Sequence, residues 1–165
     1  MGRWAEATPE QETWLEISHA QMRGAIAEVQ RLDRRWRPSP SAYETIEGEI
    51  AANEAATREA EGRIVELQRM GIGPGPFAVE SQPARGTGRR WTAEEIRENN
   101  RIGRKYGCHT CGTKEPGTPT GNFVGDHQDP NALKPNGLPQ RIFPHCLSCS
   151  RAQGGYIKQL KGGEN

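Results

Sequence analysis

Cys108-His109-Thr110-Cys111 and Cys146-Leu147-Ser148-Cys149, with Gly125-Asp126-His127 between them, are the stretches on which the reading of this chain turns. All four cysteines fall within 42 residues, as two C-x-x-C pairs separated by 34 residues. Two residues between cysteines let a tight turn aim both thiolates at one ion, and zinc takes four such soft ligands in a tetrahedron. Gly112, just after the first pair, can adopt the positive φ that closes the turn. Scattered disulfides do not cluster in this way, and redox C-x-x-C motifs come singly. With four thiolates the shell is closed, so the zinc is a staple that replaces part of a hydrophobic core. His109 and His145 stand beside the cysteines as alternative ligands of second rank.

Between the pairs the chain reads as a hairpin. Residues 122–124 form a short strand leading into Gly125-Asp126-His127, residues 128–137 a Pro/Gly-containing loop, and residues 141–143 a second strand. A final helix follows over residues 148–160. Knuckle, hairpin, second knuckle and helix make a treble-clef arrangement. Neighbouring residues on a strand point in different directions. Asp126 can therefore hold a divalent metal while the His127 imidazole serves as a general base.

Working outward, Thr92 with Glu95 three residues on is a capping box, which predicts a helix over residues 92–106 ended by Gly107. Arg97, Arg101, Arg104 and Lys105 give it a basic face. Residues 71–88, beginning Gly71-Ile72-Gly73-Pro74-Gly75-Pro76, read together with Arg85, Arg89 and Arg90 at their end as a flexible linker that touches phosphates or simply tethers. Upstream, Thr8-Pro9 starts an amphipathic helix to about residue 37, with Trp14, Ile17, Met22, Ile26, Val29 and Trp36 on one face. A second helix over residues 41–70 carries a heptad-like row, Tyr43, Ile46, Ile50, Asn53, Thr57, Ala60, Ile64 and Leu67. The two are expected to pair as an antiparallel hairpin that spaces or docks; His19 is read as a surface or packing residue. The expected organisation is α+β: a helical hairpin (1–70), a Gly/Pro/Arg-rich linker (71–91) and a zinc-stapled domain (92–165).

Hydrophobic residues are 33% and aromatics 6% of the 165 residues, too few for one large core. No stretch reaches the roughly 18 apolar residues of a membrane helix, and the N-terminus lacks an apolar export core. The net charge of +1 hides an asymmetry, −4 over residues 1–99 and +5 over residues 100–165. The basic C-terminal part suits a polyanion such as nucleic acid.

The order C-x-x-C, Asp-His, C-x-x-C, helix resembles the His-Me finger (HNH) nucleases, in particular their zinc-stapled endonuclease VII-like branch. The resemblance covers roughly residues 108–160; Asp126 follows Cys111 by 15 residues and His127 precedes Cys146 by 19. The wording around the cysteines and Gly121-Asn122-Phe123-Val124-Gly125-Asp126-His127-Gln128 is also similar to C-terminal toxin domains of Rhs-type polymorphic effectors. The resemblance implies a ββα-metal fold and a metal-dependent endonuclease. In it His127 activates water, Asp126 ligates a Mg²⁺-like ion, and Cys108, Cys111, Cys146 and Cys149 hold structural Zn²⁺. Where the endonuclease VII pattern has an Asn after the last cysteine, this chain has Ser150, a weaker ligand that Asn131, Asn136 or Gln153 can supplement. Arg141, Arg151 and Lys158 are expected to hold phosphates. The resemblance further implies DNA as substrate, a parent effector for delivery and a cognate immunity protein. It also implies production in the bacterial cytoplasm, export within a larger protein and action in the target-cell cytoplasm.

Two other classes fit parts of the pattern. A zinc-stapled nucleic-acid- or protein-binding module shares the cysteines and the basic charge but leaves Asp126-His127 unexplained. A nucleobase deaminase pairs Pro-Cys-x-x-Cys with His-x-Glu; Pro144-His145-Cys146 imitates half of this, and no His-x-Glu occurs in the chain.

Overall fold

The computed structural model describes residues 6–133 and 138–162, and the chain divides into two units, Met1–Ile64 and Val65–Asn165. Among the described residues the secondary structure is mixed, with four helices and a small antiparallel sheet: α1 (Pro9–Leu32), α2 (Ile46–Arg69), β1 (Gln82–Pro83), α3 (Ala93–Tyr106), β2 (Val124–Gln128), β3 (Arg141–His145) and α4 (Leu147–Lys161). Asn136, one of the supplementary ligands considered above, lies outside the described residues. None of the described helices is long and apolar enough to cross a membrane.

In the first unit, Thr8 caps α1 through a reciprocal bond pair with Gln11, with Pro9 at the first helical position. That satisfies amide groups which would otherwise have no partner. The expected antiparallel hairpin does not form. Gln11 near the start of α1 bonds Glu47 near the start of α2. His19 meets Glu49 at 3.1 Å and Asn53 donates to Ser18 at 3.1 Å. Asp33, just past α1, pairs with Arg63 toward the end of α2 at 3.0 Å. Numbers therefore rise together along both helices, which run parallel. Between them the Ser39 amide bonds the Glu59 carboxylate at 3.0 Å, so the connection travels back along α2. The physical reason is length: residues 33–45, extended at about 3.3 Å each, reach roughly 43 Å, and a 24-residue helix is about 36 Å long.

The buried positions of α2 within this unit are Ile46, Glu49, Asn53 and Ala60; of the heptad row, Tyr43, Ile50, Thr57 and Ile64 are only half-buried. On α1 the expected face is rotated. Ser18, Val29 and Leu32 are buried, whereas Trp14 is 54% exposed and Ile17 39%. The Ser18–Asn53 bond turns Ser18 inward, and Trp14 and Ile17 face outward as a result.

The second unit is built on a three-stranded sheet of order β1-β3-β2, in which Asp126 opposes Phe143 and His127 opposes Ile142. Asp126-His127 therefore lies inside β2 and not at its end. α3 starts with the expected Thr92–Glu95 capping box and stops at Gly107, φ 88°. Its buried Asn99 and Asn100 hold the approach to β2: Asn100 accepts from the Phe123 amide at 2.8 Å, and Asn99 donates to the Phe123 carbonyl at 3.2 Å. Gly103 lets Phe123 lie flat on the helix, since a Cβ there would stand 2.4 Å from the ring.

The stretch read as a flexible linker carries β1 and packs into this unit. Gly71, Ile72, Gly73 and Gly75 are buried. A Cβ on Gly75 would come within 2.2 Å of the His109 carbonyl oxygen. Glycine there permits close approach of two backbones, which composition does not distinguish from looseness.

Candidate metal centre and catalytic cleft

The first C-x-x-C pair closes a turn in which the Gly112 amide bonds the Cys108 carbonyl at 2.8 Å and Gly112 takes φ 77°. The second pair opens α4: Cys146 is the N-cap, and its sulfur accepts from the Cys149 amide at 3.4 Å. The four Sγ atoms lie within 4.8 Å of one another, and Cys111 Sγ and Cys146 Sγ are 3.8 Å apart. A tetrahedral zinc with Zn–S distances near 2.3 Å places its sulfurs roughly 3.8 Å apart. The tetrad can therefore hold a zinc ion. Burial pushes the Cys108 and Cys149 thiols up; Cys111 is lowered because backbone and thiol hydrogen bonds outweigh its burial. A bound ion favours the thiolate in all four, so zinc retention weakens as pH falls.

A second cluster sits beside it. Asp126, 7% exposed, accepts on Oδ2 from His109 Nε2 at 2.7 Å and from Gln128 Nε2 at 2.6 Å, and on Oδ1 from Gln153 Nε2 at 2.9 Å. Both glutamine amides also donate to the Gly71 carbonyl, which fixes which end is NH₂. Gln128 Oε1 in turn accepts from the Gly73 amide at 2.8 Å. His109 Nδ1 accepts from the Gly75 amide at 3.0 Å, so the His109 proton resides on Nε2 and points at Asp126.

His145 shares a 2.9 Å bond with Thr110 through Nε2. Its Nδ1 has no hydrogen-bond partner among the described residues and lies 3.7 Å from Asp126 Oδ2. Burial pushes the His145 imidazole down to about 4, against the pull of Asp126. His109, Asp126 and His145 stand close enough together to hold a cation, but an ion on His109 Nε2 would displace that proton and the Gly75 bond with it. A carboxylate has about four acceptor positions. Among the described residues three of Asp126's are filled, two on Oδ2 and one on Oδ1, which leaves a position on Oδ1 for a cation with the His109 proton in place.

His127 points away from this cluster. Its Nε2 donates to the Gly86 carbonyl at 2.8 Å, which leaves the lone pair on Nδ1. Its ring stacks on Trp91 at 5.1 Å. Gly125 makes the stack possible, since a Cβ there would meet the indole at 2.8 Å.

β2 is an edge strand, and a cleft of about 440 Å³ runs along it. Asp126, His127, Ser150, Gln153, Lys158, Asn131, Trp91 and Arg89 all line it. The structure thus gathers Asp126, His127, Ser150 and Lys158 in one place. Asn131 braces the cleft instead of offering a clear ligand: it donates to the Thr87 carbonyl at 3.0 Å and accepts from Gln140 at 2.8 Å. Gln153 meets Asp126 through its NH₂ group.

Two expected phosphate contacts are not brought to the cleft. Arg141 bonds Ser81 Oγ and the Ser81 carbonyl, at 2.5 and 2.8 Å. Arg151 is exposed on α4, one residue past Ser150 and therefore about 100° around the helix from it. The sequence reading missed Trp91 and Gly86 as parts of the site, took His109 for a second-rank zinc ligand, and gave Arg89 only the phosphate contact of a flexible linker. An Arg in a Gly-Arg run and an aromatic before a helix cap were the only local signals. Elsewhere Arg97, Arg104 and Lys105 line a shallow basic surface with Asn122, while Arg101 pairs with Glu98 and Glu80.

The chain matches no known protein family, no curated protein and no solved structure.

Proposed function

We propose that the second unit is a treble-clef, His-Me finger type endonuclease that hydrolyses phosphodiester bonds in DNA with the help of a Mg²⁺-like ion. The observation that carries this reading is His127, held by the Gly86 carbonyl on Nε2 with its lone pair on Nδ1, next to Asp126 in a cleft edged by Arg89 and Lys158. A base held by a second group on its far nitrogen is the arrangement general-base catalysis needs. His127 Nδ1 takes a proton from water, the resulting hydroxide attacks phosphorus, and the bond to the leaving 3′ oxygen breaks. The Gly86 carbonyl stabilises the imidazolium formed. Arg89 and Lys158 hold the phosphate oxygens. Asp126 and the Ser150 hydroxyl would hold the divalent ion, which when bound neutralises charge developing on the phosphate and the leaving oxygen.

The motif resemblance extends the reading. The domain acts as a toxin in interbacterial competition, carried by a larger effector into the target-cell cytoplasm and neutralised by a cognate immunity protein. The first unit joins it to the delivery protein.

Supercoiled plasmid incubated with the zinc-loaded chain tests this. Nicking that needs Mg²⁺, stops with EDTA and drops by at least about a hundredfold in His127→Ala is the expected result. Intact plasmid and RNA with both proteins, each holding its zinc, would leave the unit as a binding module.

A further inference from the structure

The cysteine tetrad and the cleft carboxylate are joined by the two residues inside the first C-x-x-C pair. His109 is 1% exposed and fixed on every side. Its amide donates to the Pro144 carbonyl at 2.9 Å, and its carbonyl accepts from the Phe77 amide at 3.0 Å. Its Nδ1 accepts from the Gly75 amide at 3.0 Å. Its ring packs against those of Phe143 and His145, with centroids 5.3 and 4.6 Å away. The one donor the ring has, on Nε2, is directed at Asp126 Oδ2, with the nitrogen 2.7 Å from the oxygen. Thr110 meets His145, the other imidazole beside Asp126, at 2.9 Å. Cys108 and Cys111 bracket these two residues with no spare chain, so the angle at which His109 meets Asp126 follows the closure of the knuckle.

We propose that His109-Thr110 is a positioning element: closure of the tetrad on its ion sets Asp126 in the orientation that binds the cleft cation. The tetrad then does more than hold the fold together. Loss of zinc would open the turn, withdraw His109 and leave Asp126 free to swing on its two glutamine bonds. Donors behind a metal-binding carboxylate commonly set its affinity. The inference rests on Asp126 being the cation ligand of the proposed hydrolase.

The test uses the full zinc-loaded chain and Mn²⁺ alone, followed by the spin resonance of free Mn²⁺, with zinc per chain measured on the same samples. His109→Phe should keep its zinc and bind Mn²⁺ about 10- to 100-fold more weakly. His109→Gln carries one acceptor and one donor on a single planar group, and should recover most of that loss. Nitrogen-resolved spectra of the wild-type imidazoles should show His109 protonated on Nε2, with a signal that moves in Asp126→Asn and on zinc removal. Unchanged Mn²⁺ affinity in His109→Phe would overturn the proposal. So would a His109 signal indifferent to Asp126→Asn or to zinc, which decides the matter even if His109→Phe does not fold. A wild type that binds no Mn²⁺ at the cleft would remove the hydrolase reading, and the imidazole signals would still show whether His109 holds Asp126.

Discussion

Gly24 in α1 has nothing within 4 Å of the place a Cβ would occupy, whereas a Cβ on Gly75 would stand 2.2 Å from the His109 carbonyl oxygen. The same residue type is surplus in one unit and indispensable in the other. The first unit is two helices held by spaced side-chain pairs such as Ser18–Asn53 and Asp33–Arg63, with open surface between them. The second buries Leu67, Ile72, Ile102, Phe123, Ile142 and Phe143, and adds to them backbone approaching backbone, a buried polar network around Asp126 and four thiols. A helix pair tolerates local change because each contact is one of many; a network with every donor assigned does not.

The sharpest way to break this contrast is one substitution made twice. Gly75→Ala should destabilise the second unit by about 3 kcal/mol, because a backbone carbonyl cannot step aside as a flexible side chain can. Gly24→Ala should stabilise α1 by about 0.5–1 kcal/mol, since alanine is the better helix former. Denaturant midpoints measure both, and equal signs would erase the distinction.

A smaller effect sits at the start of α3. Glu95 is held down to about 2, chiefly by its hydrogen bond from Arg85 and then by the Thr92 amide. Its unfolded value is near 4.5, so the stabilisation is complete above that pH and is lost as pH falls toward 2. Glu95→Gln should flatten the acid limb of the stability curve in that window and leave the limb above pH 6 parallel to wild type.

Much of this architecture was legible in the residues. The two cysteine pairs, the caps at Thr8 and Thr92, the hairpin between the pairs and the final helix each carry a local signal, and each stands within a few residues of where the pattern puts it. The direction of α2 was not: the pattern left only a short connection around Pro38 and Pro40, whereas α1 ends at Leu32 and α2 starts at Ile46. The Gly71–Pro76 stretch was misread because glycine serves looseness and close approach equally. Of the site, Asp126 and His127 could be picked out from their place between the cysteines. Their partners could not: His109, Gly86 and Trp91 reach them across 17 to 41 residues of chain, and Gln153, read as a spare metal ligand, instead donates to Asp126. Only the fold says that His109 turns toward Asp126 and not toward the four thiols.

Zinc content, measured with the amide spectrum before and after a strong chelator, tests the central claim most directly: that the tetrad organises the second unit and its cleft. The account predicts one zinc ion per chain on Cys108, Cys111, Cys146 and Cys149. Chelation should collapse the dispersed signals of residues 65–162 while the helical signals of α1 and of α2 up to Ile64 persist. A chain that carries no zinc, or whose second unit keeps its spectrum after the metal is gone, would contradict it.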